Sequence, residues 1–122
     1  MKFDFGNGLV DAHQHVNPDG SIGGWVADTA KVEKTVLVTE NARVFGNARV
    51  FENAWIFEDA RVFGNAQVFG NARISGNTQV SENAQVFGNA RVFGDVRVFG
   101  NAWIFGDARV SGNTWIFEGN LT

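Results

Sequence analysis

The 122-residue chain contains no cysteine and a single proline. Without cysteine there is neither a disulfide framework nor a thiolate metal site. Its turns cannot be the proline-set kind, and the 15 glycines take that part. Hydrophobic residues make up 44% of the chain, yet no apolar run approaches bilayer-spanning length, so a soluble protein with no membrane partner is expected. The opening residues, MKFDFGNGLVDAHQH, show no basic stretch followed by an apolar core. No secretion signal is read, and a cytoplasmic or virion location is expected. Charge of one sign is also scarce. A formal net charge of −3 speaks against a general nucleic-acid footprint and leaves room only for local basic stripes.

What the chain has in quantity is one short sentence, repeated. From Asn41 it reads NARVFG, NARVFE, NAWIFE, DARVFG, NAQVFG, and so on to NTWIFE. A fixed short period outranks any local secondary-structure signal. Within each unit the letters A-R-V-F alternate and the letters G-N punctuate, which predicts a short strand followed by a turn. Stacked units of this kind form a solenoid.

The alternation allows two phases. One buries Ala and Val/Ile and turns Arg and Phe outward; the other does the reverse. The reverse would place Arg43, Arg49, Arg61, Arg73, Arg91, Arg97 and Arg109 in a narrow core without carboxylates, and each uncompensated charge costs at least about several kcal/mol there. Exposing a phenylalanine forfeits only roughly 1.5–3 kcal/mol. The first phase is therefore expected, with Val or Ile inward at 26, 32, 38 and every sixth position to Ile116. Alanine precedes nearly every one by two residues. Val96, Thr78 and Thr114 break the small position, and the two threonines need backbone partners for their hydroxyls. Glycines such as Gly46 and Gly64, followed by Asn or Asp, supply corners where positive φ is tolerated. Stacked asparagines such as Asn47, Asn65, Asn83 and Asn101 are placed to hydrogen-bond along a corner.

Val/Ile with Ala or Thr two residues before it, and Gly-Asn between units, resembles the hexapeptide-repeat left-handed β-helix family over residues 24–118. The NARVFG wording is similar to its uncharacterised or phage-associated members more than to the acyltransferases. The resemblance implies an all-β fold: a single-stranded left-handed parallel β-helix, triangular in section. Its coils would hold eighteen residues each, about five coils in all. Domains are expected at 1–24 (an N-terminal strand-and-turn cap), 25–118 (the β-helix) and 119–122 (a C-terminal tail).

With eighteen residues per coil, three outward columns follow. Phe51, Phe69, Phe87 and Phe105 run unbroken beside Arg49, Gln67, Gln85 and Trp103. Phe45, Phe63, Ser81, Phe99 and Phe117 share a second face with Trp25 and Trp115. The third is more polar, with Phe57, Ser75, Phe93 and Ser111 beside Trp55, Arg73, Arg91 and Arg109. An apolar stripe on a soluble protein marks an interface, so Phe51, Phe69, Phe87, Phe105 and Trp103 are the candidate self-association face. A homo-oligomer is expected; the resemblance favours a trimer. An uncapped last rung could instead support end-to-end assembly. Trp55, Trp115, Phe99 and Phe117 are candidates for stacking on a ligand such as a polysaccharide. Arg73, Arg91 and Arg109 are a candidate anion stripe, because like charges one rung apart repel unless countered.

Residues 1–24 lie outside the repeat. LVDAHQHV alternates and NPDG is a turn signal. Asp11, His13 and His15 fall on one side of an extended strand, so they form a candidate set of divalent-metal ligands. DAHQH also resembles the metal-binding strand of amidohydrolases, although the chain is too short for their barrel. No cofactor is expected. The acyltransferases of the resembled family use a histidine in or beside the coils and loops that shape a pocket; from residue 25 onward this chain has no histidine and no insertion. No Ser/His/Asp set or paired carboxylates stand on a concave surface, and no Thr-x-Thr array suggests an ice-binding face. The sequence reads as a non-catalytic, self-associating structural solenoid, with a phage or other particle as the expected setting; a carbohydrate-binding platform is the alternative.

Overall fold

Each hexad contributes one two-residue strand, because the A-R-V-F alternation leaves only Arg-Val or its equivalent extended between two corners. The computed structural model describes residues 1–122, and they contain no helix. Three longer strands come first: β1 (Lys2–Asp4), β2 (Leu9–Val16) and β3 (Ile22–Ala27). The short strands then pair in parallel with those three hexads on, as in Arg43 with Arg61 and Val44 with Val62. Three flat sheets of eight, six and five strands result. They form a β-solenoid in which each coil contacts chiefly its neighbours.

The eight-strand face carries β1, β2 and β3, then the outward residues Arg43, Arg61, Gln79, Arg97 and Trp115. The six-strand face carries Lys31, Arg49, Gln67, Gln85, Trp103 and Asn120. The five-strand face carries Leu37, Trp55, Arg73, Arg91 and Arg109. Columns eighteen residues apart therefore stack as the repeat requires.

The core is the expected phase. Val44, Val50, Ile56, Val62 and their successors are sealed from solvent together with Ala42, Ala48, Ala54 and Ala60. Val32 and Ile116, near the two ends, are only partly covered. Val36 and Val96 fill small positions with no opening of the core. Thr114 donates its hydroxyl to the Ser111 carbonyl at 2.9 Å. Thr78 Oγ1, sealed in the core, finds no partner. An orphaned buried hydroxyl costs about 1–3 kcal/mol, whereas an apolar group of the same shape costs nothing comparable. Thr78→Val should therefore raise stability by about 1–2 kcal/mol, seen as a melting temperature several degrees higher; an unchanged or lower one would show that the hydroxyl is satisfied in solution.

At the corners the left-handed residue is the glycine and never the following Asn or Asp. Three glutamates, Glu52, Glu58 and Glu82, hold the same corner conformation with φ near 60°. Two of them gain something in return. Glu52 Oε1 accepts from the Gly70 amide at 3.0 Å and Glu58 Oε1 from the Gly76 amide at 2.9 Å. These bonds to otherwise open N–H groups offset the roughly 1–2 kcal/mol that a side chain adds to this conformation. The asparagine hydrogen bonds run in other columns than the one expected. Asn71 Nδ2 donates to Asn89 Oδ1 and Asn89 Nδ2 to Asp107 Oδ1, while Asn77 Nδ2 donates to Asp95 Oδ1.

The first coil departs from the consensus at its corners, where threonines stand. Thr29 Oγ1 donates to the Gly46 carbonyl and Thr35 Oγ1 to the Glu52 carbonyl. In later coils that place is filled by a backbone amide, as in Asn47 to Gly64. At the other end, the expected tail is part of the fold. Asn120–Leu121 pairs in parallel with Trp103–Ile104, a spacing one residue short of the repeat, taken up at Gly119 with φ of 89°.

Candidate functional site

The six-strand face brings together the phenylalanines that sequence placed there. Phe51, Phe69, Phe87 and Phe105 stack with centroids 4.7, 4.9 and 5.1 Å apart and planes within 6° of parallel. Rung spacing dictates this, since strands in a sheet lie about 4.7–4.9 Å apart and the rings repeat with them. Stacking leaves each ring half-buried by its neighbours. Trp103 meets Phe87 edge-on at 6.1 Å and stays 42% exposed. Each stacked pair contributes about 0.5–1.5 kcal/mol beyond area burial, so the column stiffens the solenoid as well as presenting an aromatic edge.

The N-terminal hairpin continues the aromatic pattern on the eight-strand face. Phe3 stacks on Trp25 and Phe5 on Phe45, which stacks on Phe63, each at 4.8 Å. Neither Phe3 nor Phe5 was among the expected site residues, although the alternation in KFDF was the available signal. Phe99 and Phe117 stack less closely, at 5.8 Å, with Trp115 edge-on to Phe99. The expected ligand-stacking residues divide between faces: Trp115, Phe99 and Phe117 stand with the eight-strand face and Trp55 on the five-strand face, while Trp103 occupies the six-strand face. No ligand lying flat on one face reaches all three indoles.

On the five-strand face Arg73, Arg91 and Arg109 are direct register partners. Arg73 lies over the Trp55 ring at 4.5 Å, a cation–π contact that fixes its guanidinium in place. The ion pairs in the structure are Lys2–Asp11 and His13–Asp28, so no arginine is paired with a carboxylate. On the eight-strand face Arg43 sits over Phe3 and Arg97 over Trp115. Partial burial, and then the neighbouring Arg61, hold the pKa of Arg43 below the usual arginine value.

Asp11, His13 and His15 do not converge, which corrects the metal-ligand reading. A bulge between Gln14 and Val16 shifts the phase of β2, as an extra residue in one strand does. Asp11 and His13 stay at the surface, where Asp11 accepts from Lys2 Nζ at 2.8 Å and His13 Nδ1 meets Asp28 at 2.7 Å. The bond and charge of Lys2 lower the Asp11 pKa. His15 turns inward and is 5% exposed. Its Nε2 lies 2.6 Å from the Val36 carbonyl, and Asn17 Oδ1 accepts from the Val38 amide at 2.8 Å. These two side chains meet the backbone of the first five-strand rung where a preceding strand would. No group of three His, Asp or Glu side chains is placed to hold a metal ion.

The largest cleft, about 580 Å³, lies between the hairpin and the Thr29–Gly46 corner, walled by Phe5, Phe45 and Val10 with Lys2, Asp11 and Asp28 at its rim. Both carboxylates are engaged by the ion pairs just described.

A family model for the YdcK beta solenoid repeat matches residues 42–58, 66–82 and 84–100. The chain is a β-solenoid repeat protein. Each matched segment begins on an inward alanine and ends on a corner residue, Glu58, Glu82 or Gly100, so one match spans three hexads, one on each face. Comparison with curated proteins and with solved structures finds no match.

Proposed function

We propose that this β-solenoid is a non-catalytic structural part that associates with copies of itself through outward aromatic side chains. Its setting would be a phage particle or a comparable assembly, in the cytoplasm or virion, and a trimer is the favoured order. The observation that carries the reading is the unbroken column Phe51–Phe69–Phe87–Phe105 with the exposed Trp103 beside it. A straight aromatic edge on a flat face matches the same edge on a second copy, and a continuous apolar strip of this kind favours burial. The unvarying hexads support the non-catalytic reading, because they build flat walls where a reaction site needs converging groups.

Phe69→Ser with Phe87→Ser tests this. Serine already occupies the same hexad position at 75, 81 and 111, so the coil accommodates it. The wild type is expected to sediment as a fixed multiple and the double variant as a monomer. Three stacks are lost from the column, about 0.5–1.5 kcal/mol each, so the variant should also melt several degrees lower while remaining folded. A wild type that stays monomeric at every concentration would overturn the reading.

A further inference from the structure

We infer that the five-strand face is a binding site for a linear anionic polysaccharide, with Arg73, Arg91 and Arg109 taking its carboxylate or sulfate groups. The inference is separate from self-association, which uses the six-strand face. Three arginines in direct register, one per rung, place positive charge along the solenoid axis at the strand spacing of about 4.8 Å. Like charges opposite one another in a sheet are unfavourable unless something compensates them, and no carboxylate pairs with any of the three.

The surroundings of this stripe differ from those of the eight-strand face, the other face that carries three arginines. Two residues before each arginine on the eight-strand face stands Asn41, Asp59 or Asp95, so Arg61 and Arg97 each have an acid on that flank. On the five-strand face the same flank is Asn71, Asn89 and Asp107, tied into one chain by amide hydrogen bonds of 3.2 and 3.3 Å. That leaves one acid beside three arginines, and its oxygen accepts from Asn89. The other flank alternates Phe57, Ser75, Phe93 and Ser111, which breaks the aromatic column; Ser75 is buried there and Ser111 is exposed. Arginines and amides in straight rows suit a hydroxyl-rich chain with regularly repeated negative groups, the arginine fork binding carboxylate or sulfate oxygens in pairs.

A single-stranded nucleic acid fits less well. It needs open aromatic faces for successive bases, whereas the Trp55 face is covered by Arg73. Phe93 stands between two serines in its column.

The test uses the full chain titrated with polygalacturonate, with heparin and with an oligothymidylate, at two salt concentrations. At least one polysaccharide should bind, more weakly at high salt, and the one preferred tells carboxylate from sulfate. Replacing Arg73, Arg91 and Arg109 together by Gln should weaken binding about thirtyfold, roughly threefold for each exposed charge contact. Gln stands at the equivalent positions 67, 79 and 85, so the fold accommodates it, and an unchanged melting temperature checks this. The same three substitutions at Arg43, Arg61 and Arg97 remove equal charge and should weaken binding less than about threefold. Equal losses in both triple variants would overturn the inference, as would failure of both polysaccharides at low salt or tighter binding of the oligonucleotide. A change of solution mass in the Arg73/Arg91/Arg109 variant would make this face a subunit interface and overturn it too, without bearing on the phenylalanine face.

Discussion

Gly24→Ala is expected to detach the N-terminal hairpin from the solenoid and to cost roughly 3 kcal/mol or more. Gly24 occupies the small position of the Val26 rung, where the repeat elsewhere tolerates Ala, Val or Thr. Here a Cβ would lie 2.1 Å from the Ala42 carbonyl oxygen and 2.6 Å from that of Thr39. Both are backbone atoms held by the next coil, so neither can swing aside as a side-chain tip would. Gly23 is as tightly placed, 1.9 Å from the Val38 oxygen. The strain is a matter of space and not of dihedral angle, since neither residue has positive φ. Gly112 is the converse, with φ of +79° and open surroundings, so Gly112→Ala should cost only about 1–2 kcal/mol. Hydrogen exchange should localise the damage: amides of residues 9–27 lose protection in Gly24→Ala while rungs from Arg61 onward keep theirs, because coils are stabilised chiefly by their neighbours. If Gly112→Ala proved the more damaging of the two, the steric account of the hairpin junction would be wrong.

The difference between Gly24 and Ala42 marks where sequence reading stopped. Periodicity made the solenoid legible: inward Val/Ile, small residues two before, and outward columns three hexads apart follow from alternation and from the cost of burying arginine. The phenylalanine column was legible for the same reason, since any residue repeated every coil must stack on itself. What was hidden lies where the repeat meets something unlike itself. The Asp11, His13 and His15 reading assumed an unbroken alternation, and one bulge at Gln14–Val16 sends His15 to the opposite side from the other two. No local signal in DAHQHV announces that bulge. The left-handed conformation of Glu52 and Glu58 was hidden because its compensation comes from the amide of a residue eighteen positions on. Asn120–Leu121 was hidden because its rung comes one residue early.

Asn17→Ala is expected to be the most damaging side-chain truncation in the N-terminal segment, at about 1–3 kcal/mol. A solenoid must satisfy the backbone of its first rung without a coil below it. On the eight-strand face β2 does this by pairing with β3. On the five-strand face two side chains do it instead, His15 at the Val36 carbonyl and Asn17 at the Val38 amide, each 5% exposed. Removing Asn17 leaves a sealed N–H with no acceptor and also breaks the 3.2 Å bond from Asn17 Nδ2 to Ser21 Oγ. His15 adds a pH dependence whose sign follows from its surroundings. Burial lowers its pKa below the ordinary 6.5, the Val36 carbonyl opposes that, and neighbouring His13 adds to it. The unfolded chain therefore takes up the proton first, so this stability is complete above about pH 6.5 and falls as pH drops through that value towards the lowered one. His15→Gln keeps a donor for Val36 but cannot titrate. Between pH 7.5 and pH 5 the wild type should lose more melting temperature than His15→Gln, and the difference isolates His15 from every other titrating group. Parallel curves for the two proteins would mean that His15 does not carry its proton balance into folding. Asn17→Ala, which leaves the imidazole in place, should lower both ends of the pH curve together, separating the lost hydrogen bond from the titration.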